Sequence, residues 1–336
     1  MRIRLDGKVQ DRRALWLEGD KVRMIDQRLL PHQIMLLDIY NCEDMAEAIR
    51  NMTVRGAPAI GAAAAYGMLL AKNQGMDLEE AARLLKSTRP TAHDLFFAVD
   101  FMMGSMAKGE DAREAADRYA DTIVEKCRLI GEHGESLITS GARVMTHCNA
   151  GALATLDHGT ALAPIRAAWR KGKPLFVYVS ETRPRWQGMK LTAFEMVEEG
   201  IPHAIIPDGA AGHFLRLGTD IVIVGADRIA ANGDFANKIG TFEKAVLAHE
   251  LGVPFYTAAP ISTFDLKMES GKDIPIENRS PTEVTEVDGH LIAPKGSAAL
   301  NPSFDVTPHK YVTGIITEIG VIRPSEVHKV NGALMS

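Results

Sequence analysis

The sequence predicts an α/β protein: an N-terminal helical lobe with a small β region, then a C-terminal doubly wound parallel sheet. Residues 42–137 hold a nearly unbroken helical spacing of apolar side chains. From about residue 140, short apolar, largely β-branched runs alternate with helical ones, the pattern of βαβ units. At 336 residues the chain has the length of two or three domains. The change of period sets the boundary between residues 1–138, the β region and helical lobe, and residues 139–336, the α/β domain.

Residues 1–40 alternate β-like runs with turn signals, and in LWLEGDKVRMID the Gly19-Asp20 step reads as a hairpin. Met45, Ile49 and Met52 share one helical face. Arg55-Gly56-Ala57-Pro58 is a loop before an Ala-rich helix at 59–70, and further helices fall near 78–85, 92–106 and 112–130. In the second half a strand at 143–146 precedes a helix at 160–170, and a strand at 175–179 precedes a helix at 191–199. Strands at 204–206, 221–224 and 255–257 complete the series. After residue 265 the chain is richer in Pro and Gly and is expected to run over the surface before a last apolar run at 313–322. With no repeat and no low-complexity linker, the lobes are expected to pack firmly together.

Composition excludes several classes. Hydrophobic content of 46%, charged content of 24% and a net charge of −5 describe an ordinary globular protein, with no basic run to suit nucleic acid or a membrane surface. Cys42, Cys127 and Cys148 form no C-x-x-C pair and no metal-ligand spacing, so no metal is expected and a reducing, cytoplasmic setting is. The first residues lack the apolar core of a signal peptide, and no apolar run approaches a membrane span. There is no G-x-G-x-x-G after the first strand of the α/β half and no P-loop, G-x-S-x-G elbow or H-E-x-x-H. No cofactor is therefore expected.

The candidate chemistry centres on residues 221–241. The apolar run Ile221-Val222-Ile223-Val224 suits a strand buried on both faces. Gly225-Ala226 removes bulk where the backbone turns, and Asp227-Arg228 falls at the strand's end. A polar loop around Asn232-Gly233-Asp234 leads to Asn237-Lys238 and a helical pattern of Phe242, Val246, Leu247 and Leu251. Ligands of open parallel sheets sit outside the carboxyl ends of the strands, so this loop is placed to meet one. The plainer alternative is that Asp227 and Arg228 form a salt bridge closing the loop.

Four other segments carry related signals. Arg55-Gly56-Ala57-Pro58 combines an arginine with the free amides of a helix start, an anion site unless the arginine is merely solvated. Thr88-Arg89-Pro90-Thr91-Ala92 repeats the pairing of an arginine with a proline-marked helix start. Cys148, in Thr146-His147-Cys148-Asn149-Ala150-Gly151, follows the first strand of the α/β half, although a cysteine is more often a small buried hydrophobe. Residues 181–188, ETRPRWQG, place two arginines and Gln187 after a buried strand, with pairing to Glu181 as the competing use of one arginine. His147 and His213 are the histidines nearest these loops and read as structural. Together the loops describe an anionic, hydroxyl-rich ligand met by a cysteine and a carboxylate, which is sugar-phosphate chemistry without a redox cofactor.

The segments VRGAPAIGAAAAYG, RPTA, THCNAG, ETRPRWQG, VGADRIAANGDFANKIGT, PFYTAAPISTFD and NPSFDVTP, in order over residues 26–323, closely resemble the methylthioribose-1-phosphate isomerase family. Its wider superfamily includes ribose-1,5-bisphosphate isomerases and regulatory subunits of the guanine-nucleotide exchange factor of translation initiation. The resemblance implies a Rossmann-like C-terminal domain, a homodimer, and conversion of 5-methylthioribose 1-phosphate to 5-methylthioribulose 1-phosphate in methionine salvage. It implies Cys148 and Asp227 as catalytic residues, and Arg55, Gly56, Ala57, Arg89, Gln187, Asn237 and Lys238 as substrate contacts. Residues 208–214 depart from the family pattern, which commonly has a bulkier residue near Ala210, so 5-deoxyribose 1-phosphate stands beside the methylthio sugar as a substrate. A non-catalytic subunit that senses sugar or nucleotide phosphates is the other reading, and the Cys148/Asp227 pair counts against it. A ribose-1,5-bisphosphate isomerase would need a second basic cluster, which the sequence does not single out.

Overall fold

The computed structural model describes residues 1–5, 7–89 and 93–330. An antiparallel pair, β1 (Arg2–Leu5) and β2 (Lys8–Asp11), precedes a meander of β3 (Leu15–Glu18), β4 (Lys21–Ile25) and β5 (Leu36–Ile39). Glu18 pairs with Lys21, so Gly19 and Asp20 form the expected two-residue turn. The helical lobe follows as α1 (Cys42–Arg50), α2 (Ala57–Gln74), α3 (Leu78–Thr88), α4 (His93–Ala107) and α5 (Ala112–Glu135). Asn41, Asp77 and Asp111 cap α1, α3 and α5 by accepting a backbone N–H from the first turn. The Ala-rich α2 is buried on all sides and is the axis of the lobe, because its small side chains let neighbouring helices approach closely. Arg89 closes α3, the helix expected from residue 92 begins at His93, and Pro90, Thr91 and Ala92 lie outside the described residues.

The second half begins with β6 (Ala142–Thr146), the short α6 (Ala152–Thr155), α7 (Leu162–Arg170) and β7 (Leu175–Ser180). A π-helical turn at Gly188–Thr192 runs into α8 (Ala193–Glu199), followed by β8 (His203–Ile206), α9 (Ala211–Arg216) and β9 (Ile221–Gly225). Then come β10 (Arg228–Ala230), β11 (Phe235–Lys238), α10 (Thr241–Glu250), β12 (Phe255–Ala258) and β13 (Phe264–Asp265). A strap with α11 (Thr282–Thr285), β14 (Glu286–Val287) and β15 (His290–Leu291) leads to β16 (Phe304–Thr307), β17 (Gly314–Thr317) and β18 (Gly320–Ile322).

The main sheet has the order β8-β7-β6-β9-β12-β17-β18 and is parallel except for its edge strand β18. The chain winds outward from β6 to β8, then returns to β9 on the other side of β6. The order therefore reverses between β6 and β9, the switch point at which a doubly wound sheet opens a crevice. Val144, Ile221 and Ile223 pack to one face with Ile130 of α5 and Ile165 of α7. Met145, Val222 and Val224 pack to the other with Leu215, Ala245 and Ala248. Ile130 thus carries the helical lobe into the core of the sheet.

Three elements differ from expectation. The polar loop after Asp227 is a hairpin of β10 and β11, part of a second sheet ordered β13-β10-β11-β16. The helix at 241–250 forms, but Phe242, Leu247 and Leu251 are 39%, 36% and 42% exposed, while Lys244, Ala245 and Ala248 face the core. Apolar spacing marked a face of α10 without fixing which side the sheet covers. The strap after β13, expected on the surface, sends Ile274, Pro275, Glu277 and Arg279 into the cavity wall.

Candidate active site

Cys148 lies two residues beyond the end of β6, and Asp227 two residues beyond the end of β9. These strands are neighbours at the switch point, so the two side chains enter one crevice from adjacent loops. Gly225 is needed for that approach: a Cβ there would lie 2.7 Å from the Cβ of Ala150. Cys148 has φ +62°, in the left-handed region that a non-glycine residue rarely occupies. Its N–H donates to Thr182 Oγ1 (2.9 Å), and its carbonyl accepts from Thr192 Oγ1 (2.6 Å), which together hold the strained turn.

A cavity of about 660 Å³ opens here, and all nine residues singled out by the resemblance line it: Arg55, Gly56, Ala57, Arg89, Cys148, Gln187, Asp227, Asn237 and Lys238. The N-terminus of α2 faces it through Gly56 and Ala57. Gly56 has φ +92°, and a Cβ there would stand 2.5 Å from the carbonyl oxygen of Ala154, so the position accepts only glycine. Arg55 donates through Nη1 and Nη2 to the Asn149 carbonyl (3.4 and 3.3 Å) and through Nη2 to Asn149 Oδ1. Lys238 Nζ donates to the Ser303 carbonyl (3.0 Å) and lies 4.5 Å from the Phe304 ring centre. Asn237 Nδ2 donates to Thr241 Oγ1 (2.9 Å). Gln187 is 8% exposed and its Oε1 has no hydrogen-bond partner. Arg89 has no hydrogen-bond or ion-pair partner among the described residues. Buried donors and acceptors left open in this way are the signature of a ligand site.

Burial pushes the Cys148 thiol up from its usual value, outweighing the downward pull of Lys238 and Arg55. Burial also raises the Asp227 carboxyl, against Lys238, Arg279, Arg55 and Arg89. The same desolvation lowers Lys238. The crevice therefore holds a cysteine and an aspartate both disposed to keep a proton, among cations whose partners are incomplete.

Several alternatives fall away. Arg228 turns to Asp265 (3.6 Å) and not to Asp227. Neither arginine of ETRPRWQG pairs with Glu181: Arg185 meets Glu283 (2.8 Å), while Arg183 stacks over Trp186 and donates to the Val284 carbonyl. His147 lines the cavity, buried, with Nε2 on the Ile239 carbonyl (2.8 Å) and Nδ1 without a hydrogen-bond partner, and desolvation favours its neutral form. His213 and Ala210 are not among the lining residues. Sequence reasoning missed Glu277 and Arg279. Their one signal is the apolar Ile274-Pro275-Ile276 just before them, in an otherwise polar stretch.

Fold and site together define a doubly wound α/β protein whose switch-point crevice holds a cysteine, an aspartate and several basic side chains. Residues 53–324 match the initiation factor 2 subunit family, and the chain belongs to that family. It is 50% identical over 323 residues to the methylthioribose-1-phosphate isomerase of Aquifex aeolicus (strain VF5), covering 96% of this chain and 71% of that protein. It is also 50% identical over 334 residues to the methylthioribose-1-phosphate isomerase of Chloroflexus aurantiacus (strain ATCC 29366 / DSM 635 / J-10-fl), covering 93% and 95%. Among solved structures, 5-methylthioribose 1-phosphate isomerase from Pyrococcus horikoshii OT3 superposes with a TM-score of 0.90 at 43% identity, covering 97% of this chain and 96% of that one. The translation initiation factor eIF-2B subunit delta from A. fulgidus gives 0.87 at 39% identity, covering 97% and 100%.

Proposed function

We propose that this protein is an aldose–ketose isomerase that converts 5-methylthioribose 1-phosphate to 5-methylthioribulose 1-phosphate, a step of methionine salvage. The observation that carries the reading is the placement of Cys148 and Asp227 on one cavity, each two residues past the end of neighbouring strands. The relatives named methylthioribose-1-phosphate isomerase support it at half identity over nearly the whole chain.

In this reading the phosphate sits against the start of α2, where Arg55, Arg89 and Lys238 supply charge, and Gln187 and Asn237 take the sugar hydroxyls. Met52, Ile60, Phe96 and Ile274 give the cavity an apolar wall for the methylthio group. The anomeric oxygen carries the phosphate, so the ring cannot open as a free hemiacetal does. In balance, the bond from C1 to the ring oxygen breaks and C2 becomes a carbonyl. A hydrogen moves from C2 to C1, and a proton passes from the C2 hydroxyl to the ring oxygen. Asp227 exchanges the protons of the sugar oxygens, giving its own to the ring oxygen as acid and taking that of the C2 hydroxyl as carboxylate. Cys148 stands at the carbon end as acid/base, entering as the thiol because burial outweighs the nearby cations.

The proposal extends to a homodimer built from two domains, 1–138 and 139–336, in a cytoplasmic setting where Cys42, Cys127 and Cys148 stay free thiols. Leu217, Phe242, Leu247 and Leu251 are exposed, and Leu247 and Leu251, four residues apart, share a face at the end of α10 suited to a second copy. The likeness to the A. fulgidus protein favours a second reading, a phosphate-sensing subunit without turnover. The test is to incubate purified protein with methylthioribose 1-phosphate and, separately, 5-deoxyribose 1-phosphate, following the products by NMR. The isomerase reading predicts ketose 1-phosphate from the methylthio sugar, with kcat/KM at least about tenfold above the deoxy sugar, the scale of a small apolar group in a pocket. Binding without conversion would favour the sensing subunit, and preference for the deoxy sugar would reassign the substrate.

A further inference from the structure

The strap between β13 and β16 brings to the cavity a charged pair that the resemblance leaves unassigned. Ile274 and Pro275 enter the wall, and Glu277 and Arg279 follow them to its surface. The backbone N–H of Arg279 donates to the Asn301 carbonyl (2.9 Å), which fixes the residue from across the strap. Its side chain is 11% exposed, and Nε donates to Glu277 Oε1 (3.3 Å). Among the described residues, Nη1 and Nη2 have no partner. An arginine held through Nε keeps the outer edge of its fork for something else, and that edge matches the paired oxygens of a phosphate.

The surroundings specify an anion. Arg279 is close enough for its charge to act on Asp227, Lys238 and Arg89. Eight lysines and arginines, among them Arg55, Arg89, Lys238 and Arg279, line this cavity against four carboxylates, an excess of positive charge that suits an anion. A phosphate monoester at neutral pH carries close to two negative charges.

We infer that Arg279 is a substrate-binding residue that completes the phosphate site from the strap, donating Nη1 and Nη2 to a phosphate monoester, with Glu277 as its positioning residue. The inference rests on the sugar-phosphate reading of the cavity. The competing role, in which Arg279 only holds the charge of Asp227, predicts a change in kcat with none in phosphate binding.

The test uses Arg279→Gln and Arg279→Lys in the full chain. Two quantities are read: KM and kcat for methylthioribose 1-phosphate, and the Kd of inorganic phosphate by calorimetry. Arg279→Gln is expected to raise KM and the phosphate Kd together by about ten- to hundredfold, the scale of a lost charge-assisted hydrogen bond, with kcat within about threefold. Arg279→Lys, which keeps the charge and loses the fork, is expected to raise both by an intermediate factor. A fall in kcat with KM and Kd unchanged would overturn the assignment, because Arg279 would then act through Asp227. Unchanged kinetics and binding would overturn it as well. If Arg279→Gln does not fold, the Lys variant decides: an unchanged phosphate Kd there removes the forked donor. Wild type whose phosphate binding depends on Arg279 but which converts no sugar phosphate would sink the isomerase reading and leave this one standing.

Discussion

Cys148 sits in a left-handed turn that two threonine hydroxyls hold closed, and its thiol faces Lys238 and Arg55 without being ionised by them. The cations lower its pKa and burial raises it; burial wins. The thiolate fraction at neutral pH is therefore small, and it rises only as pH climbs through a pKa above the ordinary 9.0. The rate of alkylation of Cys148 reports that fraction directly, with Cys148→Ser as the blank, because Cys42 and Cys127 are buried. The expected midpoint lies above pH 9.0 and moves higher when inorganic phosphate fills the site. A midpoint below that value would mean that the cations dominate, and that Cys148 enters the reaction as a base.

At the scale of elements, α8 holds the loop that follows Cys148 through one carboxylate. Glu195 accepts from Asn149 Nδ2 (2.9 Å), from the N–H groups of Ala152 (2.9 Å) and Leu153 (3.2 Å), and from Arg166 Nη2 (2.5 Å). Asn149 in turn accepts from Arg55, so α8 orients an arginine of the cavity through a single intermediate. Glu195→Ala leaves the buried Arg166 with Glu199 as its one carboxylate partner (3.2 Å). Losing one member of a buried ion cluster costs about 3–5 kcal/mol, and the released Asn149 is expected to raise KM as well. Denaturant unfolding measures the first effect; a loss below about 1 kcal/mol would show that the cluster is not a support.

Legibility in the sequence followed the range of the forces involved. Cys148 and Asp227 could be placed at strand ends because a buried strand announces itself locally by its apolar run, and the ligand edge of a parallel sheet follows from its winding. The β10–β11 hairpin could not be read, since strands of three and four residues carry too little alternation. Arg279 was hidden for a different reason: its position depends on a hydrogen bond to Asn301, twenty-two residues along a strap with no period. Arg89 lies where α3 ends, four residues before the α4 helix start that the sequence placed near residue 92.

At the scale of the whole molecule, α5 joins the lobes. Ile130 packs with Val144 and Ile223 of the sheet, and a Cβ on Gly134 would stand 2.5 Å from Pro164 of α7. The helical lobe supplies Arg55, Arg89 and the start of α2, and the sheet supplies Cys148 and Asp227, so the cavity exists only while the lobes stay docked. The exposed apolar face of α10 is expected to be covered by a second copy. Sedimentation at micromolar concentration should return a dimer, and Leu247→Glu should shift it towards monomer; a wild-type monomer would remove that part of the account.

The central claim is that Cys148 and Asp227, brought together at the switch point, carry out the isomerisation. It is tested most directly by the NMR time course of methylthioribose 1-phosphate with wild type, Cys148→Ser and Asp227→Asn, each verified as folded. Conversion to the ketose 1-phosphate by wild type is expected, with kcat reduced on the order of a hundredfold or more in each variant, the usual scale of a lost acid or base. Folded variants that keep near-wild-type turnover would contradict the claim.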